Sequence, residues 1–479
     1  MDDYSSEPVD ITALSARVRD IFGDLAIDKR RLQASGLLKR GVPGYVAEWA
    51  LDTIIPGTGP LSPDEVERIQ EWASRAIPRP DDQNLIRARL LSGEMVKVLT
   101  PLQIDIILNR SRQEILGRLA SLGIHDAHVS EDLARSYPEL LKGGMWGIAQ
   151  LLNTEEGVVL SGFKPMQASV DLSLWREARA RFSLAEWRAL LLVSMGYLPS
   201  AFSDEEQTLI LCRLLPLVQK NMHLIELAPK GTGKSFFYEN ISPRVRLVSG
   251  GNISPAVLFV NNANGLPGLL ARFAVVVLDE VQTLRFEKPE EIVGGLKGYL
   301  ANGQLTRGGL HQMASDCGLV LLANVLLDEH QNPVADPLIR DLPPFLQETA
   351  FLDRMRGILP GWKIRKLSGA SFASSTGLKS DFFGDALLAL REDLAIDQMC
   401  AQRVRLLGTR AYRRNEESVR AIASGLTKIL FPHGQFTQEE FARYCVDPAI
   451  ELRQLVWNQL YQLDAEYRQF DRDLLYDIS

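Results

Sequence analysis

The sequence predicts a multidomain α/β protein with a mixed helical and β-rich N-terminal region, a core built on a parallel sheet, and a helical C-terminal segment. Short apolar runs alternate with helical or loop segments in the central part of the chain, at residues 222–227, 245–248, 273–278 and 319–323. Such runs are typical of parallel strands that are covered on both faces. Residues 96–152 instead alternate apolar and polar side chains, and the chain is helical and charged from about residue 381 onward. We therefore predict four units, at residues 1–95, 96–165, 166–375 and 376–479.

Composition and charge restrict the class of protein. The chain has 479 residues, of which 46% are hydrophobic, and 53 Lys and Arg against 60 Asp and Glu give a net charge of −7. This balance argues against non-specific nucleic-acid binding by the whole surface but leaves room for local basic patches. The four cysteines lie far apart without a C-x-x-C pair, which favours buried thiols over disulfides or a zinc site. The acidic start of the chain and the lack of an apolar stretch of about 18 residues predict a cytoplasmic protein with no membrane partner.

The N-terminal half begins with helices and then changes period. Ser62 can cap a helix whose first turn takes Pro63, and the apolar residues that follow have helical spacing. Further on, Leu102, Ile104 and Ile106 alternate with polar neighbours, and a polar turn follows at residues 109–113. This change predicts a small β-rich unit after the helices.

A phosphate-binding loop follows the first central strand, with the sequence Ala228-Pro229-Lys230-Gly231-Thr232-Gly233-Lys234-Ser235-Phe236. This is a Walker A loop between a strand and a helix, where backbone N–H groups receive phosphate oxygens. Lys234 is predicted to reach the β- and γ-phosphates of ATP, and Ser235 to bind Mg²⁺. Ala228 replaces the first glycine of the motif, which is a mild steric demand because Gly231 and Gly233 remain. A chance glycine turn is the alternative for the loop by itself.

The run at residues 273–278 ends in two carboxylates, Asp279 and Glu280. We predict that Asp279 holds Mg²⁺ and that Glu280 polarises the attacking water, so that the nucleotide is hydrolysed as well as bound. A strand end that merely turns acidic at the surface is the alternative.

An asparagine and one of two neighbouring arginines complete the predicted catalytic set. Asn324 ends the run at residues 318–323, and the ends of parallel strands converge on the ligand crevice, so it can orient the water or sense the γ-phosphate. An ordinary Asn at a strand-to-loop turn is the alternative. Arg354 and Arg356 follow an apolar stretch and are suited to serve as a finger across a subunit interface, with surface salt bridges as the alternative.

This order of motifs resembles the AAA+ ATPases and, more narrowly, the BrxL family, the Lon-related AAA+ components of BREX bacteriophage-defence systems. The narrower resemblance runs from about residue 15 to residue 432, and its motifs are 141–147 (LKGGMWG), 174–197, 225–235, 249–251 (SGG), 299–309, 347–354 (QETAFLDR) and 359–362 (LPGW). It implies a P-loop core with a helical lid, preceded by an OB-like β unit, in a protein similar to the MCM helicases.

The resemblance also implies partners. Residues 1–95 would be a helical DNA-binding domain, and the chain would form hexamers that can pair face to face around double-stranded DNA, together with other BREX proteins. The longer relatives continue into a Lon-like protease domain for which no Ser/Lys pair can be placed here, so we expect an ATPase without intrinsic protease activity.

Roles follow from the resemblance for three arginines. Arg354 matches the finger that acts on a neighbouring subunit, and Arg414 matches the sensor 2 arginine that contacts nucleotide, with Arg413 as its rival. Arg307 lies where such rings carry a pore hairpin and is our candidate DNA phosphate contact, with a turn-stabilising role as the alternative. The basic run Lys29-Arg30-Arg31, with Lys39 and Arg40, is either part of the DNA footprint or, more commonly for such runs, a solvated helix face.

The leading hypothesis is thus an ATP-driven ring motor that encircles duplex DNA or moves along it during phage defence. A second hypothesis is a protein unfoldase that works with a separate protease and uses Tyr299 as its pore aromatic. A third is a nucleotide-switched DNA-binding scaffold with slow hydrolysis.

Overall fold

The N-terminal part of the chain is mainly helical. In the computed structural model, which describes residues 9–108, 113–155, 157–166, 170–261, 267–307, 311–408, 410 and 412–478, its elements are α1 (Ile11–Phe22), β1 (Ala26–Asp28), α2 (Lys29–Ser35), α3 (Gly44–Ile54), α4 (Pro63–Ala76) and α5 (Gln83–Leu91). Helix α4 begins as its sequence predicts, because Ser62 and Glu65 form a reciprocal capping box.

Helix α1 and strand β1 pack against the central part of the chain. Leu14, Val18 and Phe22 share a buried cluster with Trp175 and Trp187. Strand β1 pairs in antiparallel fashion with the strand at Thr376–Leu378. The start of the described chain is therefore anchored on the same body as the central sheet.

A closed five-stranded barrel follows the helices. Its elements are β2 (Val96–Leu108), β3 (Gln113–Leu119), β4 (Ile124–His128), α6 (Glu131–Ser136), β5 (Met145–Thr154) and β6 (Gly157–Pro165). The strand order is β2-β3-β4-β6-β5, β4 and β6 run parallel, and the other neighbours are antiparallel. The predicted β-rich unit is present, while most of the predicted turn at residues 109–113 lies outside the described residues.

The central part of the chain is a mixed α/β unit. Its elements are α7 (Leu172–Ala180), α8 (Leu184–Ser194), α9 (Asp204–Cys212), α10 (Leu215–Val218), β7 (Leu224–Ala228), α11 (Lys234–Asn240), β8 (Val245–Ser249), β9 (Asn252–Ile253), α12 (Pro255–Leu258), α13 (Leu269–Arg272), β10 (Val275–Asp279), β11 (Arg285–Phe286), α14 (Pro289–Asn302), β12 (Gln304–Arg307), β13 (His311–Ala314), β14 (Gly318–Asn324), α15 (Thr349–Leu352), β15 (Gly357–Pro360) and β16 (Thr376–Leu378). The prediction of a mixed α/β architecture with a parallel sheet is confirmed.

The central sheet is parallel and has the order β15-β7-β14-β10-β8. All its strands except the edge strand β8 are buried on both faces: Leu224 and Val277 belong to one core cluster, whereas Ile225 and Val276 belong to the other. This two-sided burial explains the continuous apolar runs. Strand β15 is an additional strand that the apolar pattern does not predict, because its four residues include a Gly and a Pro.

The C-terminal part is helical, as predicted, apart from one strand pair. Its elements are α16 (Ser380–Ala389), α17 (Leu394–Arg403), β17 (Val404–Leu407), α18 (Arg413–Leu430), α19 (Gln438–Phe441), α20 (Asp447–Leu463) and β18 (Leu475–Ile478), with a π-helical turn at Ala442–Val446. Strands β17 and β18 pair in antiparallel fashion. Helix α20 places Trp457 in the same core cluster as Ile225 and Val276.

The four cysteines are buried free thiols, as the sequence predicts. Burial raises the pKa of each of them above its ordinary value. No helix in the described part of the chain is long and apolar enough to span a bilayer.

Candidate nucleotide-binding site

The loop at residues 229–233 leaves the carboxyl edge of the central sheet and leads into α11. Strand β7, which precedes it, is buried along its whole length. Gly231 and Gly233 have φ angles of +90° and +76°, a region that favours glycine. A Cβ atom on Gly233 would lie 2.5 Å from Cδ1 of Leu367, so this position has no room for a side chain. The backbone conformation therefore favours glycine at both positions, and the close packing against Leu367 favours it at Gly233.

The other predicted loop residues have distinct environments. Thr232 is buried, and its hydroxyl donates to the carbonyl oxygen of Pro229 at 3.3 Å. Lys230 is exposed, and Phe236 is 41% exposed. Ser235 is partly buried in the first turn of α11.

Lys234 is buried at the first position of α11. Its Nζ donates to Oδ1 of Asn324 at 2.8 Å and to the carbonyl oxygen of Pro229 at 3.5 Å. Burial lowers the pKa of Lys234, and the nearby carboxylates of Asp279 and Glu280 are among the groups that oppose this effect. Neutral oxygens thus hold the ammonium group close to the carboxylates that follow β10.

Asp279 and Glu280 lie where β10 ends. Asp279 is buried, and its Oδ1 accepts the backbone N–H of Glu280 at 2.9 Å. Glu280 has a φ of +46°, which is uncommon for a residue with a side chain and recurs at functional sites. In this conformation Oε1 of Glu280 accepts from Nδ2 of Asn324 at 3.5 Å. Asn324 therefore connects Lys234 with Glu280.

Gln282, which the sequence reasoning missed, holds the backbone at Asn324. Its Nε2 donates to the carbonyl oxygen of Asn324 at 2.5 Å, and its Oε1 accepts the N–H of Asn324 at 3.0 Å. These two bonds fix the end of β14 to the segment that follows β10. The sequence signal that could have indicated Gln282 is its position, a polar residue two places after Glu280.

A buried ion pair, also missed, lies beneath the loop. Arg213 and Glu226 are at most 1% exposed and are joined by a 2.6 Å contact between Nη2 and Oε1. Arg213 also donates to the carbonyl oxygen of Thr232 at 3.2 Å and to the hydroxyl of Tyr197 at 3.4 Å. The pair therefore ties β7 to the phosphate-binding loop. Its signal in the sequence is Glu226 itself, a charged residue inside an apolar strand.

Replacing Arg213 with Met is expected to lower the free energy of unfolding by about 3–5 kcal/mol, because the buried carboxylate of Glu226 would lose its ion-pair partner. Urea titration followed by tryptophan fluorescence measures this change. Arg17→Met is the matched control: Arg17 pairs with Glu186 at 2.7 Å, but it is 46% exposed, so its loss should cost about 0–1 kcal/mol. Equal effects of the two changes would contradict a bracing role for the buried pair.

A second cluster of charges forms around Asp353. Asp353 is buried, accepts from the hydroxyl of Tyr412 at 2.8 Å, and forms ion pairs with Arg414 and, at 3.1 Å, with Arg453. Arg354 is the next residue, and one of its Nη atoms donates to the carbonyl oxygen of Ala350. The predicted sensor 2 arginine, Arg414, thus belongs to this cluster, and the predicted finger, Arg354, lies next to it in the chain.

Arg413, the alternative candidate for the sensor 2 role, has a different environment from Arg414. Arg413 is 92% exposed and pairs only one helical turn away, with Glu417 at 2.9 Å. Within the described residues, the hydrogen bonds and ion pairs of Arg354 and Arg414 do not reach Lys234, Asn324 or Glu280 of the same chain. The predicted site residues thus lie in two separate groups, one at the phosphate-binding loop and one at Asp353.

Arg307 ends strand β12 of a two-stranded hairpin, in register with His311 of β13. The predicted hairpin between β10 and β14 is therefore present, with residues 308–310 outside the described part of the chain. The prediction that Tyr299 serves as a pore aromatic is wrong. Its side chain, on α14, is fully buried, and its hydroxyl donates to the carbonyl oxygen of Cys317.

Only part of the basic run in the N-terminal region is solvated, since Lys39 is exposed and Arg40 partly exposed, whereas Lys29 and Arg31 are buried. Lys29 is 5% exposed and pairs with Glu48 at 2.7 Å. Arg31 is 2% exposed and donates to the carbonyl oxygens of Ile55 and Gly59. Arg30 is half exposed but pairs with Asp28 at 2.5 Å. Lys29 and Arg31 are therefore structural cations that fix α2 to its neighbours.

The donor groups at the loop fit a nucleotide with Mg²⁺. The hydroxyl of Ser235 and the carboxylate of Asp279 are hard oxygen ligands, and Lys234 supplies a buried positive charge. Mg²⁺ usually takes few protein ligands and completes its shell with phosphates and water. Within the described residues, no group of three or more His, Cys, Asp or Glu side chains is placed to hold a metal ion.

Comparison with known proteins decides the family. A family model described as "Lon-like protease BrxL-like, ATPase domain" matches residues 158–473, more than half of the chain. The chain belongs to the BrxL family. A second model, "BREX system Lon protease-like protein BrxL N-terminal", matches residues 20–152. The resemblance read from the sequence is thereby confirmed, and the loop and both carboxylates lie within the ATPase domain of this BrxL-family chain.

Two curated relatives are similar over most of this chain. The "Lon-like protease BrxL" of Escherichia coli O9:H4 (strain HS) is 29% identical over 457 residues, which is 91% of this chain and 64% of the relative. The protein of the same name from Bacillus cereus (strain H3081.97) is 31% identical over 415 residues, 83% of this chain and 60% of the relative. The chain thus spans less than two thirds of the length of either relative.

Proposed function

We propose that this BrxL-family chain is an ATP-hydrolysing, DNA-binding ring protein of a BREX bacteriophage-defence system. The observation that carries the proposal is the network of Lys234, Asn324 and Glu280 at the carboxyl edge of a parallel sheet. A buried cation beside two carboxylates and an amide suits the binding of a polyphosphate and the activation of water. The BrxL ATPase-domain match supports the same reading.

The chain's own residues divide the work of hydrolysis. Lys234 faces the β- and γ-phosphates, while Ser235 and Asp279 hold Mg²⁺, which neutralises developing phosphate charge when bound. Glu280 accepts the proton of the attacking water, and Asn324 orients its carboxylate. Gln282 keeps Asn324 in place through the backbone.

The strand orders support the AAA+ and OB-like assignments. Numbered along the chain, the central strands have the order 5-1-4-3-2, and the nucleotide loop follows the first of them. The barrel strands have the order 1-2-3-5-4-1 with the third and fifth parallel, which is compatible with an OB-like unit. We accordingly propose an OB-like barrel joined to an AAA+ core with a helical lid.

Assembly into a ring is supported by the second charge cluster. Arg414 pairs with Asp353, Arg354 is the next residue in the chain, and neither arginine makes a described contact with the nucleotide loop of its own chain. An arginine finger can be supplied to a nucleotide site by a neighbouring subunit. We propose that Arg354 is the finger and Arg414 the sensor 2 group of an adjacent site in a hexamer, and that such hexamers can pair.

The hairpin of β12 and β13 is our proposed DNA contact, with Arg307 as its phosphate-binding residue. Arg307→Ala is expected to weaken binding of a labelled duplex in the presence of ATP by about tenfold and to reduce the slope of affinity against salt. Fluorescence anisotropy between about 50 and 200 mM salt measures both quantities.

Arg413→Ala removes an exposed arginine outside the hairpin and serves as the matched control. Unchanged duplex affinity in Arg307→Ala would remove Arg307 from the interface. If the wild-type protein with nucleotide bound no duplex at low salt, the DNA-binding part of the proposal would fall. The unfoldase alternative gains no support from Tyr299, since that side chain is buried.

A further inference from the structure

A cleft of about 220 Å³ lies between the β-barrel and the edge of the central sheet that is opposite the nucleotide loop. Its charged lining comes from both units. Asp105 and Arg118 belong to the barrel strands β2 and β3, Lys142 to the turn before β5, and Arg272 to the end of α13, just before β10. We call this space the junction cleft.

A pair of glycines brings the two units close together at the junction cleft. The carbonyl oxygen of Lys142 accepts from Nε of Arg272 at 3.1 Å. A Cβ atom on Gly143 would lie 3.2 Å from the carbonyl oxygen of Arg272, and Gly144 has a φ of +84°, a region that favours glycine. The segment at residues 141–147 (LKGGMWG) thus seats Lys142 beside Arg272.

The junction cleft has an excess of positive charge. Three cations line it against one carboxylate, Asp105, which is 14% exposed and already pairs with Arg118. A larger neighbouring cleft of about 670 Å³ has no such excess, because its lining contains as many carboxylates as cations. The chain as a whole has a net charge of −7, so the junction cleft is a local exception.

Two of the three cations keep hydrogen-bond donors that are free to bind an anion. Lys142 is 65% exposed, and its one ion pair within the described residues is a 3.8 Å contact with Glu139 three positions away. A surface pair of this kind contributes little to stability and can be exchanged. Arg272 uses Nε for the carbonyl oxygen of Lys142, and within the part of the chain that the structure describes its two Nη atoms form no hydrogen bond or ion pair.

The positive charges around the junction cleft also act on one another. Burial lowers the pKa of Arg272, the carboxylate of Asp105 opposes this effect, and the charges of Arg118 and Arg246 lower the pKa further. Arg246 is exposed on the edge strand β8. Like charges that lie close together disfavour each other's charged form, and an anion placed between them removes this cost.

We propose that the junction cleft is a second DNA contact, in which Arg118, Lys142 and Arg272 bind phosphates of the duplex backbone outside the hairpin of β12 and β13. The inference rests on the proposed DNA-binding function. Guanidinium and ammonium groups suit phosphate oxygens, and such contacts position a duplex without reading its sequence. Because the cations come from the barrel and from the core, a bound backbone would hold these two units together.

The test reverses the most exposed charge of the cleft in the full chain. Lys142→Glu is expected to weaken binding of a labelled duplex in the presence of ATP by about tenfold and to reduce the slope of affinity against salt. Lys142→Arg keeps the charge and should bind like the wild type. Fluorescence anisotropy between about 50 and 200 mM salt measures affinity and slope.

Lys288→Glu is the matched control. Lys288 is 73% exposed and, like Lys142, has a 3.8 Å pair with a glutamate three positions away, but it lies outside the cleft. The two variants change the net charge equally, so equal loss of affinity in both would overturn the proposal. It would also be overturned by unchanged affinity in Lys142→Glu, or by a loss in Lys142→Arg as large as that in Lys142→Glu.

A double variant asks whether the cleft and the hairpin are separate contacts. The losses of Lys142→Glu and Arg307→Ala should add in free energy, because distant and independent sites are additive. If the double variant bound duplex as well as Arg307→Ala alone, the cleft would not be a second contact. If Lys142→Glu instead lowered the affinity for ATP and left duplex binding intact, the cleft would serve a free nucleotide and the DNA assignment would be wrong.

The two proposals fail in different ways. If the wild-type chain with ATP bound no duplex at low salt, the DNA-binding part of the proposed function would fall. If the wild type bound duplex, Arg307→Ala weakened it and Lys142→Glu bound like the wild type, DNA binding would stand and only the junction cleft would be excluded.

Discussion

Glu280→Gln is expected to lower ATP turnover by about 10²- to 10⁴-fold while ATP binding is retained. Glutamine keeps the size of the side chain and an oxygen that can accept from Nδ2 of Asn324, but it cannot take a proton from water. The loss should therefore appear in the rate of phosphate release and not in the dissociation constant of ATP. Steady-state phosphate release and calorimetric titration measure the two quantities separately.

Two control variants are compared with Glu280→Gln. Glu290→Gln alters an exposed carboxylate in the first turn of α14 and should leave turnover unchanged. Lys234→Ala should lose both binding and turnover, because it removes the buried cation of the loop. Turnover of Glu280→Gln within about threefold of the wild type would exclude Glu280 as the base.

The same variant separates the motor hypothesis from the scaffold hypothesis. A motor needs repeated hydrolysis, so phage defence in cells should be lost in Glu280→Gln. A nucleotide-switched scaffold needs only binding, so its defence should survive. Survival with turnover abolished would favour the scaffold.

The loop and the carboxylates were predictable because their chemistry is local. A glycine-rich segment after an apolar strand has one common use, and the carboxyl ends of parallel strands meet at one edge of a sheet. The structure accordingly joins Asn324 to Lys234 and Glu280 by hydrogen bonds. The roles of these residues in hydrolysis stay predictions.

The contacts between distant segments were not predictable in the same way. The partner of Lys29 is Glu48, and the partner of Arg414 is Asp353, 61 positions away. A charge run reports neither partners nor burial, which is why the sequence did not show that Lys29 and Arg31 are buried. Glu226 shows the one usable signal, a charge within an apolar strand, because such a group requires a buried partner.

Burial also decided the case of Tyr299. Its position before the hairpin suggested a pore aromatic, but the helical spacing of α14 turns it toward the core with Ile292 and Leu296. Residues at positions i, i+4 and i+7 of a helix lie on the same face, and Ile292, Leu296 and Tyr299 have this spacing. The burial of Tyr299 could therefore have been predicted from the sequence. The hairpin of β12 and β13 was predictable from its place in the chain. Whether Tyr299 is exposed depends instead on which face of α14 it occupies.

Arg354→Ala is expected to lower ATP turnover by about 10³-fold while ATP binding is retained, because a finger stabilises charge that develops only in the transition state. In the described structure Arg354 lies beside Asp353, apart from the nucleotide loop of its own chain. If Arg354 is the finger, we therefore expect it to act on the nucleotide of a neighbouring subunit. Arg413→Ala, at a 92% exposed position, should retain normal turnover.

Mixing subunits makes the direction of this action measurable. Arg354→Ala subunits keep an intact loop but lack the finger, whereas Lys234→Ala subunits lack the loop cation but keep the finger. In a mixed ring, a Lys234→Ala subunit can supply Arg354 to the intact site of its neighbour, so turnover should rise above that of either variant alone. If Arg354 acted within its own chain, every subunit in the mixture would carry one defect and turnover would stay at the level of the separate variants. Recovery on mixing would thus establish both the finger and the subunit interface on which a ring depends.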